Sequence, residues 1–436
     1  MKTIFLELNE FNENLLQEAG KVLHLKNIQR LFSFYKSTTW TDDTYDSGFL
    51  EPWVQWVSVH TGLSSSEHQV KHLGNAPQVA HKQLWEKLSD KKISSGIWGA
   101  MNAKRSNAAD CLFFFPDPWT DENAYPSELN ALLQPLRHIS QNYTSCPKLT
   151  IARLIKDLLI LTKKNKLLGF LGKEITSLAK NVLRYKAKPF VFVSFLDLLS
   201  SHFFLEYQKR FCPTFSLLFL NSIAHLQHHQ WTSKKSISPP LAHGFKNIDK
   251  ILGKIFAMLQ PDDLFLVTNA LSQKNTMEEK PWVLYRQINQ KKFLQLIGIK
   301  KVAIEAHMTH DAHLFFPNAQ STQQALDILQ SVTLNGAPFF HVESYPDNPL
   351  KLFYRIQFTD PVPQDTFLTV SNKLYPFFKL FKAIVKRTGK HIQTGTLFSN
   401  KPYFSEKLAN HEIEEQILNI YAQNCQRKEP VMPQSR

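Results

Sequence analysis

Short apolar runs separated by helical stretches constrain this chain more than any other feature of its sequence. Ile4–Leu8, Ile93–Ala100, Phe113–Phe115, Phe190–Phe195, Leu217–Leu220 and Leu264–Thr268 read as strands, and a helix through Leu15–Val22 follows the first. Strands alternating with helices predict a mostly parallel sheet wrapped on both faces. Ligand sites in such sheets lie beyond the carboxyl ends of the strands, which singles out Asn9-Glu10, Asn221 and Asn269-Ala270. Thr232–Pro240 reads as a loop. From about Gly336 the pattern changes to short strands and turns (Phe339–Val342, Leu352–Phe358), then to a helix near Leu374–Arg387. The expectation is one α/β domain over 1–436, with 336–436 as its C-terminal extension and 125–188 as a predominantly helical basic insertion.

The charge is concentrated in that insertion. Of a formal net charge of +14, residues 151–188 carry ten Lys or Arg against Asp157 and Glu174. Apolar residues recur there at helical spacing (Ile151, Leu154, Ile155, Leu158, Leu159, then Ile175, Leu178, Val182), and Gly169 and Gly172 are expected to interrupt the run. The basic side is either a solvated helix face or a surface for anionic lipid headgroups or a polyanionic substrate. No nucleic-acid-binding motif accompanies it, so nucleic acid is not an expected partner. No apolar run reaches the length of a membrane helix, and the first nine residues meet acid and amide too early for a secretory leader. The four cysteines form no CxxC pair. The expectation is a soluble, cytoplasmic chain, peripheral to the inner membrane face if the basic helices meet lipid.

The segment EPWVQWVSVHTGLSSSEHQV, from Glu51 to Val70, carries a helix with Trp53, Val54, Val57 and Ser58 into Thr61-Gly62, and Glu67-His68 follow a short loop. It resembles the nucleophile helix and following turn of the alkaline phosphatase superfamily, especially its type I phosphodiesterase and nucleotide pyrophosphatase branch. The first strand is similar to that superfamily's, which ends in a metal-binding Asp-Gly where this chain has Asn9-Glu10. LLFLNSIAHLQHHQW resembles the Asp-x-x-x-His metal motif, with Asn221 and His225 in those places. LFLVTNALSQ is similar to the Ser-Asp-His-Gly segment, with Asn269-Ala270-Leu271-Ser272, and TGKHIQTGTLF to a late Gly-x-His turn that places His391. ELNEFN, EPWVQW, WGAMNA, PDPW and AHLQHH together look like a bacterial subgroup associated with surface-polysaccharide gene clusters. The fold implied is an alkaline-phosphatase-like three-layer sandwich with a mostly parallel sheet.

The resemblance also implies two metal ions, usually zinc, and a nucleophile at a helix N-terminus. The metal that holds the nucleophile would need groups that this sequence replaces with Asn9, Pro52 or Glu51, Ala270 and Leu271. Alanine and leucine ligate nothing, so that site is expected to be lost. The other site keeps His225 and His391, with Asn221 in place of an aspartate and His228 one turn from His225. Two readings stay open: one zinc or other divalent metal on these residues, or a metal-free cleft lined by polar side chains.

Glu51 before Pro52 suits a helix start, where an acid favours the dipole. Alternatively, its carboxylate sits where relatives bind a phosphoryl group and acts as a base. Asn9 and Glu10, with Glu7 as a possible second carboxylate, join Glu51 and His225 as catalytic candidates. Gln55, His68, Asn269 and Gln273 are candidates for substrate binding, and His60, Asp117 and Trp119 for lining the cleft. The His-rich HMTHDAH stretch (His307, His310, Asp311, His313) reads as a surface strand or turn. Three functions follow. One is a divergent hydrolase or transferase for a phosphorylated or glycosylated substrate, in surface-glycan metabolism. The second is a pseudoenzyme that binds a glycan or phosphorylated ligand. The third is a membrane-surface protein that works through helices 151–188.

Overall fold

The computed structural model describes residues 1–74, 80–106, 108–141, 148–164, 168–186, 188–232, 237–307 and 311–426. The chain divides into two compact units, one of residues 1–133, 156–275 and 389–436, the other of residues 134–155 and 276–388. This differs from the single domain expected from sequence.

The larger unit is built on an eight-stranded sheet. Its strands are β1 (Thr3–Leu8), β2 (Tyr35–Trp40), β3 (Ser95–Trp98), β4 (Cys111–Phe115), β5 (Phe215–Leu220), β6 (Leu264–Thr268), β9 (Thr394–Ser399) and β10 (Lys407–Ala409), in the order β10-β2-β9-β6-β1-β5-β3-β4. A separate pair, β7 (Ser272–Asn275) and β8 (Gly389–Ile392), lies outside it. β6, β1, β5, β3 and β4 are parallel, and β9 is antiparallel to both its neighbours. Every residue of β1, β5 and β6 is buried, so both faces of these strands are covered. That is why their sequences are continuous apolar runs and not alternating ones.

The helices that matter below are α1 (Glu13–Val22), α2 (Pro52–Thr61), α3 (Leu168–Tyr185), α4 (Pro189–Phe211), α5 (Ser222–Gln230) and α6 (Pro239–Phe256). Asn12 caps α1 by accepting from Leu15 N, and Ser238 with Pro239 opens α6. Because β6, β1 and β5 are adjacent and parallel, the residues that follow them emerge side by side: Asn269-Ala270, Asn9-Glu10 and Asn221.

Several sequence expectations are corrected. Phe190–Phe195 is not a strand; it opens the 23-residue helix α4. This helix is long and apolar enough by composition to cross a membrane, although no such run was expected. It packs inside the unit: Phe203 stacks on Trp98, and Phe204 meets Phe113 edge-on. Gly169 and Gly172 do not interrupt the basic helices but lie within α3, and the preceding helix ends at Lys164. Leu374–Arg387 is not one helix. It is a strand (Lys373–Pro376), a single turn (Phe377–Leu380) and a second strand (Phe381–Arg387).

Finally, the change of pattern read at Gly336 as an extension of the same domain comes earlier. The smaller unit's main segment leaves at Asn275 and returns at Gly389, which face each other across the β7–β8 pair. It has two four-stranded sheets and its own core around Phe293, Phe339, Phe340, Phe377 and Phe381. The HMTHDAH stretch belongs to this unit, and its His310 lies outside the described residues. His307 and His313 are buried, not on the surface: His307 Nδ1 is 2.9 Å from Asp311 Oδ2, and His307 Nε2 is 3.1 Å from His313 Nδ1.

Candidate active site

Glu10 is the centre of the candidate site. It follows β1 with a left-handed backbone (φ 55°), which costs a non-glycine residue about 1–2 kcal/mol. Two bonds hold it there. Its N–H donates to Asn269 O at 3.2 Å, and its carbonyl accepts from Gln227 Nε2 at 2.8 Å. The turn delivers a buried carboxylate to two imidazoles: Glu10 Oε2 lies 2.9 Å from His228 Nε2 and 3.0 Å from His391 Nε2. The two Nε2 atoms are 3.3 Å apart. Gln273 Nε2 donates to the same carboxylate oxygen at 2.5 Å, and Asn9 Nδ2 donates to Oε1 at 2.9 Å. Burial pushes the Glu10 carboxyl upward, but the His391 and His228 imidazoles outweigh it and hold it well below the usual carboxylate range.

The far side of each imidazole fixes its tautomer. His391 Nδ1 lies 3.2 Å from Leu50 O, and His228 Nδ1 lies 3.3 Å from Gly389 O. A carbonyl only accepts, so each Nδ1 carries a proton; a neutral ring then turns an Nε2 lone pair toward Glu10, and a charged ring an Nε2–H. If both rings are neutral, two lone pairs and a carboxylate do not approach this closely without a cation among them. Either an added proton or a metal ion meets the requirement. Zinc ligands about 2.0–2.1 Å from the ion stand about 3.3 Å apart in a tetrahedron, close to the separations here. Glu10, His228 and His391 therefore fit a divalent cation. Glu51 supports this set from behind, with Oε2 3.4 Å from His391 Nδ1, in the way carboxylates orient metal-bound histidines.

Other expected residues fall elsewhere. His225 is not in this cluster. α5 turns its ring toward His229 (centroids 4.6 Å, 83°), and burial pushes its pKa down to about 4, with His228 adding and Glu10 opposing. Asn221 Oδ1 accepts from Asn9 Nδ2 at 2.8 Å. Asn9 Oδ1 in turn accepts from Trp56 Nε1 at 2.7 Å, so this amide pair is held by the core. Asn269 is fully buried and braces backbone, donating to Phe11 O and accepting from Thr396 N. Gln55 is fully buried and bonded to Asp43, Phe49 O and Asn410. His68 accepts from Val70 N and pairs with Ser58 Oγ at 3.1 Å, away from Glu10. Glu7 does not converge with Glu10 but lies 2.6 Å from His60, both fully buried. Glu51 precedes α2 as expected, yet its side chain makes no hydrogen bond to the helix's N–H groups. Ala270 and Leu271 are fully buried, so apolar packing fills that side of the cleft.

Sequence reasoning missed Asp197 and Tyr45. Asp197, on α4, accepts from Asn221 N (3.3 Å) and Ser222 N (2.9 Å) and so caps α5 from outside; burial pushes its pKa up to about 6. A lone acid inside an apolar run was the available signal. Tyr45 lies parallel to the His391 ring, and its Oη accepts from His391 N at 2.8 Å. Exposed Lys390 reaches over the Tyr45 ring at 4.5 Å, placing a cation beside His391.

No family model and no curated protein matches this sequence. Solved structures do match along almost the whole chain. Murine ectonucleotide pyrophosphatase/phosphodiesterase 5 is 11% identical, with a TM-score of 0.45 over 97% of this chain and 95% of that one. Phosphonoacetate hydrolase from Sinorhizobium meliloti 1021 is 11% identical, with a TM-score of 0.46 over 96% and 95%. TAB5 alkaline phosphatase is 11% identical, with a TM-score of 0.40 over 97% of each chain. All three are proteins of the alkaline phosphatase superfamily. The chemistry of the site rests on this chain's own residues.

Proposed function

We propose that this chain is a hydrolase of phosphate esters working with one divalent cation on Glu10, His228 and His391. The observation that carries the reading is the convergence of two Nε2 atoms and a buried carboxylate at metal-ligand separations, with each imidazole held at Nδ1 by a backbone carbonyl. When bound, such a cation lowers the pKa of a water molecule and polarises a phosphoryl oxygen. Pro52 occupies the first turn of α2 and supplies no N–H, and Glu51 puts negative charge where a phosphoryl group would otherwise dock. Water is therefore the nucleophile in this reading. Glu51 orients His391, Gln273 and Asn9 fix the Glu10 carboxylate, and Lys390 pairs with the substrate's anion at the mouth. A phosphorylated glycan precursor is the substrate class we favour, on the motif resemblance to the surface-polysaccharide subgroup.

The test is turnover of bis(p-nitrophenyl) phosphate and p-nitrophenyl phosphate by protein loaded with zinc or manganese. Activity that falls in E10Q and H228A supports the reading; no turnover of either ester by metal-loaded protein counts against it. A second reading is a pseudoenzyme with Glu10 locked between protonated histidines. It is favoured by the carboxylate already accepting from Asn9 and Gln273. This reading predicts ligand binding without product and no bound metal.

A further inference from the structure

A cavity lies between α3 and α6, with a volume of about 320 Å³. α6 lines it with Pro239, Ala242, His243, Lys246, Asn247 and Lys250, and α3 with Ser177, Asn181, Arg184 and Tyr185. The spacings of three, four, seven, eight and eleven along α6, and four, seven and eight along α3, each trace one helix face. Facing helices normally bury apolar stripes against each other. Here both stripes are polar and include three permanent cations, Arg184, Lys246 and Lys250. No carboxylate lines this cavity, and none pairs with those three among the described residues. The nearby Glu174 lines a smaller adjoining recess and sits 4.0 Å from Lys254. His243 reports the field inside. Burial pushes its pKa down, and Lys250, Lys246 and Arg184 push it further. Asn247, itself buried, is 3.4 Å from His243 Nε2, and Tyr185 and Phe190 stand edge-on to the imidazole, so its position is fixed.

We infer that this cavity is a binding site for a phosphate group on a small ligand or lipid headgroup, separate from the Glu10 cluster. Three cations converge on a concavity of ligand size, with Ser177, Asn181 and Asn247 as hydrogen-bonding groups. The lipid source is worth testing because Leu183 on α3 and Phe192 on α4 are 82% and 42% exposed.

The experiment titrates inorganic pyrophosphate into the full chain by calorimetry and, in parallel, co-sediments it with phosphatidylcholine vesicles with and without phosphatidic acid. Wild type is compared with K246Q/K250Q and with R184Q, substitutions at exposed positions. Pyrophosphate binding that weakens at least about tenfold in the variants supports the site and assigns a soluble ligand. Co-sedimentation that needs phosphatidic acid and is lost in the variants supports it and assigns a headgroup. The variants are expected to keep wild-type metal content and melting temperature. If wild type binds neither probe, or the variants bind as wild type does, the inference is overturned.

Discussion

The residues beyond β1 and its neighbouring strands form two sides of opposite character. On one side Glu10, His228 and His391 converge within 3.3 Å of one another, with Glu51 behind them. On the other, Ala270 and Leu271 are fully buried, and Asn9 bonds Asn221 and Trp56. Asparagine offers hydrogen bonds without charge, so the second side acts as scaffold. The difference separates a side that gathers a carboxylate and two imidazoles from one packed by amide and apolar side chains. Glu10 supplies the carboxylate of the charged side.

The comparison is broken most directly from its charged side. E10Q and H228A should each reduce bound metal from about one per chain to a small fraction, a loss of one ligand in three. Unchanged metal content in both, by elemental analysis, would put the ion elsewhere. Next in size is A270D on the packed side. It buries an unpaired carboxylate at a fully buried position and should cost about 3–5 kcal/mol, read as a lower melting temperature. Zinc should not restore the loss; if it does, that side is a latent metal site and not scaffold.

A smaller effect is expected at Glu51. E51Q should weaken metal affinity about 10–100-fold while leaving the melting temperature of the metal-free protein in place. Equal affinity would reduce Glu51 to a residue that happens to precede a helix. The smallest effect is a pH dependence on the scaffold side. Burial pushes the His68 pKa from 6.5 down to about 4, with His81 adding and Asp43 and Glu67 opposing. Between those values the unfolded chain binds more protons, so the contribution is complete above pH 6.5 and is lost as pH falls toward 4. H68Q should flatten this part of the stability profile in urea titrations; an identical slope would remove His68 as its source.

Much of this was legible in the sequence because it depends on local order. The apolar runs of β1, β5 and β6 placed Asn9-Glu10, Asn221 and Asn269 at adjacent strand ends. Gly389–Ile392 carried His391 to the same place. What was not legible needed three dimensions. His225 and His228 lie three residues apart, and only the rotation of α5 decides which of them meets Glu10. The left-handed turn at Glu10 has no glycine to announce it, because Asn269 and Gln227 hold it from distant segments. Phe190–Phe195 resembled a strand because a helix apolar on most sides loses its period. Gln55 and His68 were correctly seen as polar residues on or after α2, but their partners in the fold are protein atoms.

The central claim is that Glu10, His228 and His391 hold a metal ion and not a proton. Its most direct test is elemental analysis of the full chain purified without chelator, then incubated with zinc and desalted. The account predicts about one zinc per chain, lost in E10Q. A metal-free wild-type protein after zinc loading, with His228 and His391 titrating as ordinary protonated partners of Glu10 by NMR, would contradict it.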